Sequence, residues 1–198
     1  MRILIVGGKG TVGKCAVAAL KKHDLVIAGR SSGDVTVDLT DVASIKAMYQ
    51  KAGKVDAVVA CAGHTPFASV DKMTSEQFLS GLTDKLMGQV NLVLHGLAHV
   101  NDKGSFTLTS GILDRDPVRM GVNASTVDAA INGFVLAAAI EMPRGIRINA
   151  VSPGLLQDSA AKYDGYFPGH EPVSSERVGN GFVKSVEGLI TGQVISVH

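Results

Sequence analysis

Apolar residues in this chain fall into short unbroken runs that alternate with longer stretches of helical period. The run RILIV (2–6) ends on glycine and carries nothing polar after its first residue. That is the pattern of a strand covered on both faces. TVGKCAVAALKKH (11–23) follows as an Ala-rich helix, with basic residues at its end that suit the helix dipole. DLVIAG (24–29) reads as a second buried strand and DVTVDL (34–39) as a third. DVASIKAMYQKAG (41–53) is a helix, with Asp41 at its start and Gly53 just past its end. KVDAVVACAG (54–63) is the fourth strand.

A long helix is expected over about 75–100. Thr74 and Gln77 stand at capping-box spacing, and Phe78, Leu82, Leu86, Val90, Val93 and Leu97 recur at helical period. GSFTLTSG (104–111) gives a fifth strand, residues 119–142 a second long apolar helix, and GIRINAVSPG (145–154) a sixth strand. Residues 155–173, which include YDGYFPGHEP, are loop-rich; a last helix covers 174–187, and GQVISVH (192–198) is a seventh strand. Strands alternating with helices predict an α/β fold with right-handed crossovers. The expected architecture is a Rossmann-type doubly wound parallel β-sheet of about seven strands flanked by helices, as a single domain over 1–198.

Composition narrows the function more than the fold. With no Trp and 5% aromatics, the core must be built from Ala, Val, Ile and Leu. A net charge of +1 supplies no basic field for nucleic acid and no polybasic patch for a membrane. The ILIV run is too short for a signal sequence, and no apolar run is read as reaching the roughly 20 residues of a membrane span. Cys15 and Cys61 sit in an apolar helix and at a strand end, as suits reduced thiols. The expected setting is cytoplasmic, with a small-molecule substrate and neither nucleic acid nor membrane as partner.

The chemistry begins at VGGKGTVG, between the first strand and first helix. Gly8, Gly10 and Gly13 satisfy GxGxxG, while Gly7, Gly10 and Gly13 satisfy GxxGxxG. Such glycines permit a tight turn and bring backbone N–H groups of Lys9, Thr11 and Val12 toward a pyrophosphate at the helix N-terminus. The end of the second strand selects the cofactor: a ribose 2′-OH wants an acid there, a 2′-phosphate a basic group. The sequence has GRSS, with Arg30 and Ser31 and no acid, and Lys9 adds charge nearby. The expected cofactor is NADP(H) rather than NAD(H).

With these residues assembled, the chain resembles the short-chain dehydrogenase/reductase family. The glycine motif, VDLTD, CAG (61–63), FTLTSG, RGIRINAVSPG and TGQVISV carry the resemblance over essentially its whole length. It implies that Asp38 and Leu39 border the adenine, and Ala62 and Gly63 the adenosine ribose. Val151, Pro153 and Gly154 would flank the nicotinamide, and Ser110 would be the catalytic serine that hydrogen-bonds the substrate oxygen. The family's Tyr and Lys, four residues apart on the next helix, are absent. Their places fall to Ala124 and Asp128, and the only tyrosines are Tyr49, Tyr163 and Tyr166. Register also puts Lys85 where the family commonly has an Asn.

Lys85 and Asp128 are therefore expected to form a rewired charge pair beside Ser110, with Lys85 as a candidate catalytic group. Lys85, a loop Tyr or water would then supply the proton. His64 could face the nicotinamide or be structural; His95 and His99 stand at i, i+4 on one face of the long helix but lack a third metal ligand. Tyr163 or Tyr166 could project a phenol inward or serve loop packing. The resemblance implies an NADP(H)-dependent oxidoreductase acting on a small carbonyl or alcohol, with a catalytically impaired NADP(H)-binding sensor as the alternative. It also implies a homodimer or homotetramer built on the two long helices.

Overall fold

The computed structural model describes all residues, Met1–His198. Seven parallel strands form one sheet: β1 (Arg2–Val6), β2 (Asp24–Gly29), β3 (Val35–Thr36), β4 (Val55–Ala60), β5 (Val100–Thr109), β6 (Arg147–Pro153) and β7 (Val194–Val197). Their order is β3-β2-β1-β4-β5-β6-β7, so the winding reverses between β1 and β4. In open α/β sheets that reversal opens a crevice outside the strand C-termini, where ligands bind.

Alternation along each strand sends side chains to two separate apolar layers. Leu4, Val6, Val58, Phe106, Leu108 and Ile148 pack beneath helices α2 (Val42–Ala52), α4 (Gly88–Gly96) and α5 (Val122–Glu141). Ile3, Ile5, Ala57, Val59 and Val151 pack beneath α1 (Thr11–Leu20) and α7 (Ser175–Glu187) on the other face. Both faces are covered, which is why β1 and, apart from Asp56 near its start, β4 read as apolar runs.

Several elements depart from the sequence expectation. The first helix stops at Leu20, and a turn from Leu20 O to His23 N leaves the basic residues beyond its end. The third strand keeps only Val35–Thr36, because Asp38 Oδ1 accepts from both the N–H and the hydroxyl of Thr40 and turns the chain. The fifth strand begins earlier, at Val100. Residues 157–160 form a short helix, α6 (Gln157–Ala160), in the segment read as loop.

The long helix expected over 75–100 is three pieces: α3 (Ser75–Gly81), a π-helical segment (Leu82–Met87) and α4. Thr74 and Gln77 make the anticipated capping box. Asn123 packs against the turn just before the widening. Asn123 on α5 donates from Nδ2 to Phe78 O at 2.8 Å and wedges its side-chain oxygen against Gly81, where any Cβ would overlap it.

The expectation that no apolar run reaches span length also needs correcting. α5 has 20 residues at a mean hydropathy of 1.2, long and apolar enough by composition. In the fold it is a core helix: Val127, Ile131 and Val135 are fully buried against the sheet.

Candidate active site

Two hollows lie along the strand C-termini, on either side of the glycine loop. The first, of about 280 Å³, is lined by Val6, Gly7, Arg30, Leu39, Ala62, Gly63, His64 and Asp84 among others. The second, of about 270 Å³, lies where β5 and β6 end, beneath the 155–173 segment. Its wall includes Thr11, Val12, Lys85, Ser110, Ala124, Asp128, Pro153 and Gly154.

The loop between them is shaped for close backbone approach. Gly7 has φ +81°, and a Cβ on it would lie 2.8 Å from that of Ala62. A Cβ on Gly13 would overlap the Gly7 carbonyl. No side chain caps the N-terminus of α1, and no acid stands in its first turn. Its first amides are thus open to an anion, with the helix dipole behind them. This loop fits the diphosphate of a dinucleotide, flanked by one hollow for the adenosine and one for the reacting ring.

At the adenosine end, Arg30 extends between two acids, its guanidinium 3.6 Å from Asp38 and 3.7 Å from Asp84. Asp84 was not anticipated as part of this hollow. Sequence reasoning read the surrounding helix as regular and gave the position no role. The Asp38 carboxyl faces Thr40, whose N–H and hydroxyl hold it below the usual carboxylate range. It does not line either hollow. His64 lies here rather than at the nicotinamide end, its N–H donating to Asp84 at 3.2 Å. Leu39, Ala62 and Gly63 line this hollow. Gly8, Lys9, Gly10 and Ser31 belong to its surroundings but line neither hollow, and Val151 is buried in the core.

At the reacting end, Lys85 Nζ donates to Asp128 Oδ1 at 2.6 Å and to Ser110 O at 3.4 Å. The π-helical segment carries the lysine in, and Gly63, at φ +132°, lets it seat. A Cβ on Gly63 would lie 2.7 Å from Lys85 Cα. The side chains are 16% and 3% exposed, so the pair is mostly desolvated. Burial pushes the Asp128 carboxyl up, and the Lys85 ammonium pulls against that rise.

Ser110 Oγ is buried with no hydrogen-bond partner, though Ser110 lines the hollow. A buried hydroxyl left unpaired costs on the order of 1–3 kcal/mol, a penalty that a bound oxygen or nitrogen would remove.

The remaining candidates separate cleanly. Tyr49 is buried in the core and donates to Leu92 O at 2.6 Å, far from this chemistry. Tyr163 lines the hollow, whereas Tyr166 packs edge-on against Phe67 and Tyr163. His99 stacks on Tyr49 and lies past the end of α4, so it does not share a helix face with His95. Burial raises the Cys61 thiol to about 12, which removes it as a nucleophile.

Comparison with known proteins agrees with this architecture. A family model described as enoyl-(acyl carrier protein) reductase matches residues 12–178. The solved structure of lin1944 from Listeria innocua superposes with a TM-score of 0.99 at 46% identity, covering 100% of both chains. A small-chain dehydrogenase solved in complex with NADPH superposes at 0.87, with 25% identity over 100% of this chain and 96% of that one. Among curated relatives, enoyl-(acyl-carrier-protein) reductase (NADH) 1 of Rhizobium meliloti is 29% identical over 186 residues, 81% of this chain and 66% of its own length. The matches span about half to two thirds of the curated relatives' own length. With the family model matched over most of its length and the sheet, glycine loop and strand ends in their places, the chain belongs to the short-chain dehydrogenase/reductase family.

Proposed function

We propose that this protein is an NADP(H)-dependent oxidoreductase acting on a small carbonyl or alcohol, with Lys85 standing in the network that a Tyr and Lys normally provide. The observation that carries the reading is the unpartnered, buried hydroxyl of Ser110 in the same hollow as the Lys85–Asp128 pair. The nicotinamide ring, when bound, supplies or accepts the hydride.

Ser110 Oγ donates to the substrate oxygen and fixes its position beside Pro153 and Gly154. The Lys85 ammonium has three hydrogens, two of them directed at Asp128 and Ser110 O. The third is free for the substrate oxygen or a water that carries the proton. Asp128 keeps the ammonium in place and offsets its charge. Ala124, small and 3% exposed, leaves room at the wall where a larger side chain would stand.

Arg30 and the absence of an acid at the end of β2 support NADP(H), as does the NADPH bound by the related small-chain dehydrogenase. The NADH-linked relative and the two carboxylates facing Arg30 argue for a modest preference. The test has two stages. Calorimetry with NADPH and NADH measures binding; NADPH oxidation is then followed with short aldehydes, ketones and an enoyl thioester, the last prompted by the matched family's description. Turnover that falls at least tenfold in Ser110→Ala supports the oxidoreductase. Tight NADPH binding with no turnover on any probe would favour the sensor reading, for which the missing phenol is the motivating feature.

A further inference from the structure

Lys162 is a charged residue of the reacting hollow that neither the glycine loop nor the Lys85–Asp128 pair employs. It stands on the helical turn after α6, in the segment that covers the cavity. Its ammonium lies 5.3 Å from the ring centre of Tyr163, and no carboxylate is within ion-pair distance. The acid one turn back, Asp158, accepts instead from the Ser175 hydroxyl.

Charge counting over the cavity wall then gives a simple result. Lys85 and Asp128 cancel at 2.6 Å, and Lys162 is left as the one uncompensated charge. Phe67, Leu156 and Phe167 give this part of the wall apolar surface, Ser159 lines it one turn before Lys162, and Lys162 itself is solvent-exposed at the rim. At such an exposed rim the attraction between the ammonium and a bound anion is modest, while the apolar side chains beside it take up the rest of the ligand.

We infer that Lys162 selects the substrate: a carbonyl compound with an apolar body and a carboxylate, whose carboxylate pairs with Lys162 while its carbonyl meets Ser110. This rests on the oxidoreductase reading for the carbonyl, but the anion preference is a binding property that can be measured without turnover.

The test uses the intact protein saturated with NADPH and an unreactive ligand pair, benzoate and its neutral isostere benzamide, titrated by calorimetry. Benzoate should bind up to about fivefold more tightly, as expected for one ion pair at a solvent-exposed site. Lys162→Gln should bring the ratio close to one, and Lys162→Arg should largely keep it. Equal affinities in the unmodified protein, no benzoate binding at tens of millimolar, or a ratio unmoved by Lys162→Gln would each overturn the inference. If Lys162→Gln weakens NADPH itself and leaves the benzoate ratio intact, the lysine serves the cofactor's phosphates and the inference also falls. Discrimination between the ligands with no turnover on any carbonyl would sink the oxidoreductase reading while leaving the anion site standing.

Discussion

Removing the Lys85 side chain is the sharpest perturbation of this site. In Lys85→Ala, Asp128 keeps its position at 3% exposure and loses the ammonium 2.6 Å away. Breaking a fully buried ion pair by deleting one partner costs about 3–5 kcal/mol, whereas an exposed pair is worth at most about 1. At 16% exposure the lysine admits some solvent, which places the expected loss at about 2–4 kcal/mol. For a domain of this length that corresponds to a fall of about 5–15 °C in Tm. Lys46→Ala, on the exposed face of α2, is the control and should stay within about 0.5 kcal/mol.

The sign of the pH dependence follows from Asp128. Burial raises its folded-state pKa, and without Lys85 only the Arg115 charge still opposes the rise. A carboxylate whose folded pKa exceeds its unfolded one contributes stability that is complete below the unfolded value and is lost as pH climbs through the folded value. The deficit of Lys85→Ala should therefore be greatest near about pH 8 and shrink toward about pH 5. Urea denaturation of both variants across that range is the assay. A loss equal to that of Lys46→Ala, or a deficit independent of pH, would refute the buried-pair account.

Three further outcomes are expected. Arg30→Ala should narrow any preference for NADPH over NADH by about 1–3 kcal/mol, while Asp84→Asn, by freeing the guanidinium, should widen it; calorimetric affinities check both. Gly13→Ala should abolish nucleotide binding, because its Cβ would collide with the Gly7 carbonyl; near-native circular dichroism would separate this from unfolding. We also propose that Leu94, Leu136 and Ile140, exposed by 55%, 55% and 87% on α4 and α5, are covered by a second copy of the chain. Light scattering at micromolar protein should give a dimer mass or a multiple of it, and Ile140→Lys should shift it toward monomer.

The fold was largely legible because the central strands β1, β4 and β6 are almost wholly buried and read as largely apolar runs, and because Asp41, Thr74 and Gly53 sit where caps are needed. Boundaries moved where side chains took over backbone groups, as Asp38 did in cutting the third strand short. The pairing of Lys85 with Asp128 was also expected, since two departures from one motif with opposite charge point to each other across a shared space. Its 2.6 Å separation meets the expectation of contact within about 4 Å, and both line the hollow that holds Ser110. Asp84 and the placement of His64 escaped because both depend on the widened turn. That turn follows directly on the Asn123 contact, which comes from some forty residues away in the chain, and local periodicity carries no trace of that contact.

The widened turn also explains how one short segment serves both ends of the groove. Asp84 and Lys85 are neighbours in sequence, yet Asp84 lines the adenosine hollow and Lys85 the reacting one. Successive residues on a helix point roughly a quarter turn apart, so a helix laid across the groove can send adjacent side chains to its two sides. Gly63, in the left-handed region and with its backbone against Lys85, is what allows the helix to lie this close. A single seating of the π-helical segment thus fixes both the acid that competes for Arg30 and the ammonium that pairs with Asp128. Short π segments recur at functional sites for this kind of reason: one extra residue in a turn re-aims side chains that a regular helix would direct elsewhere.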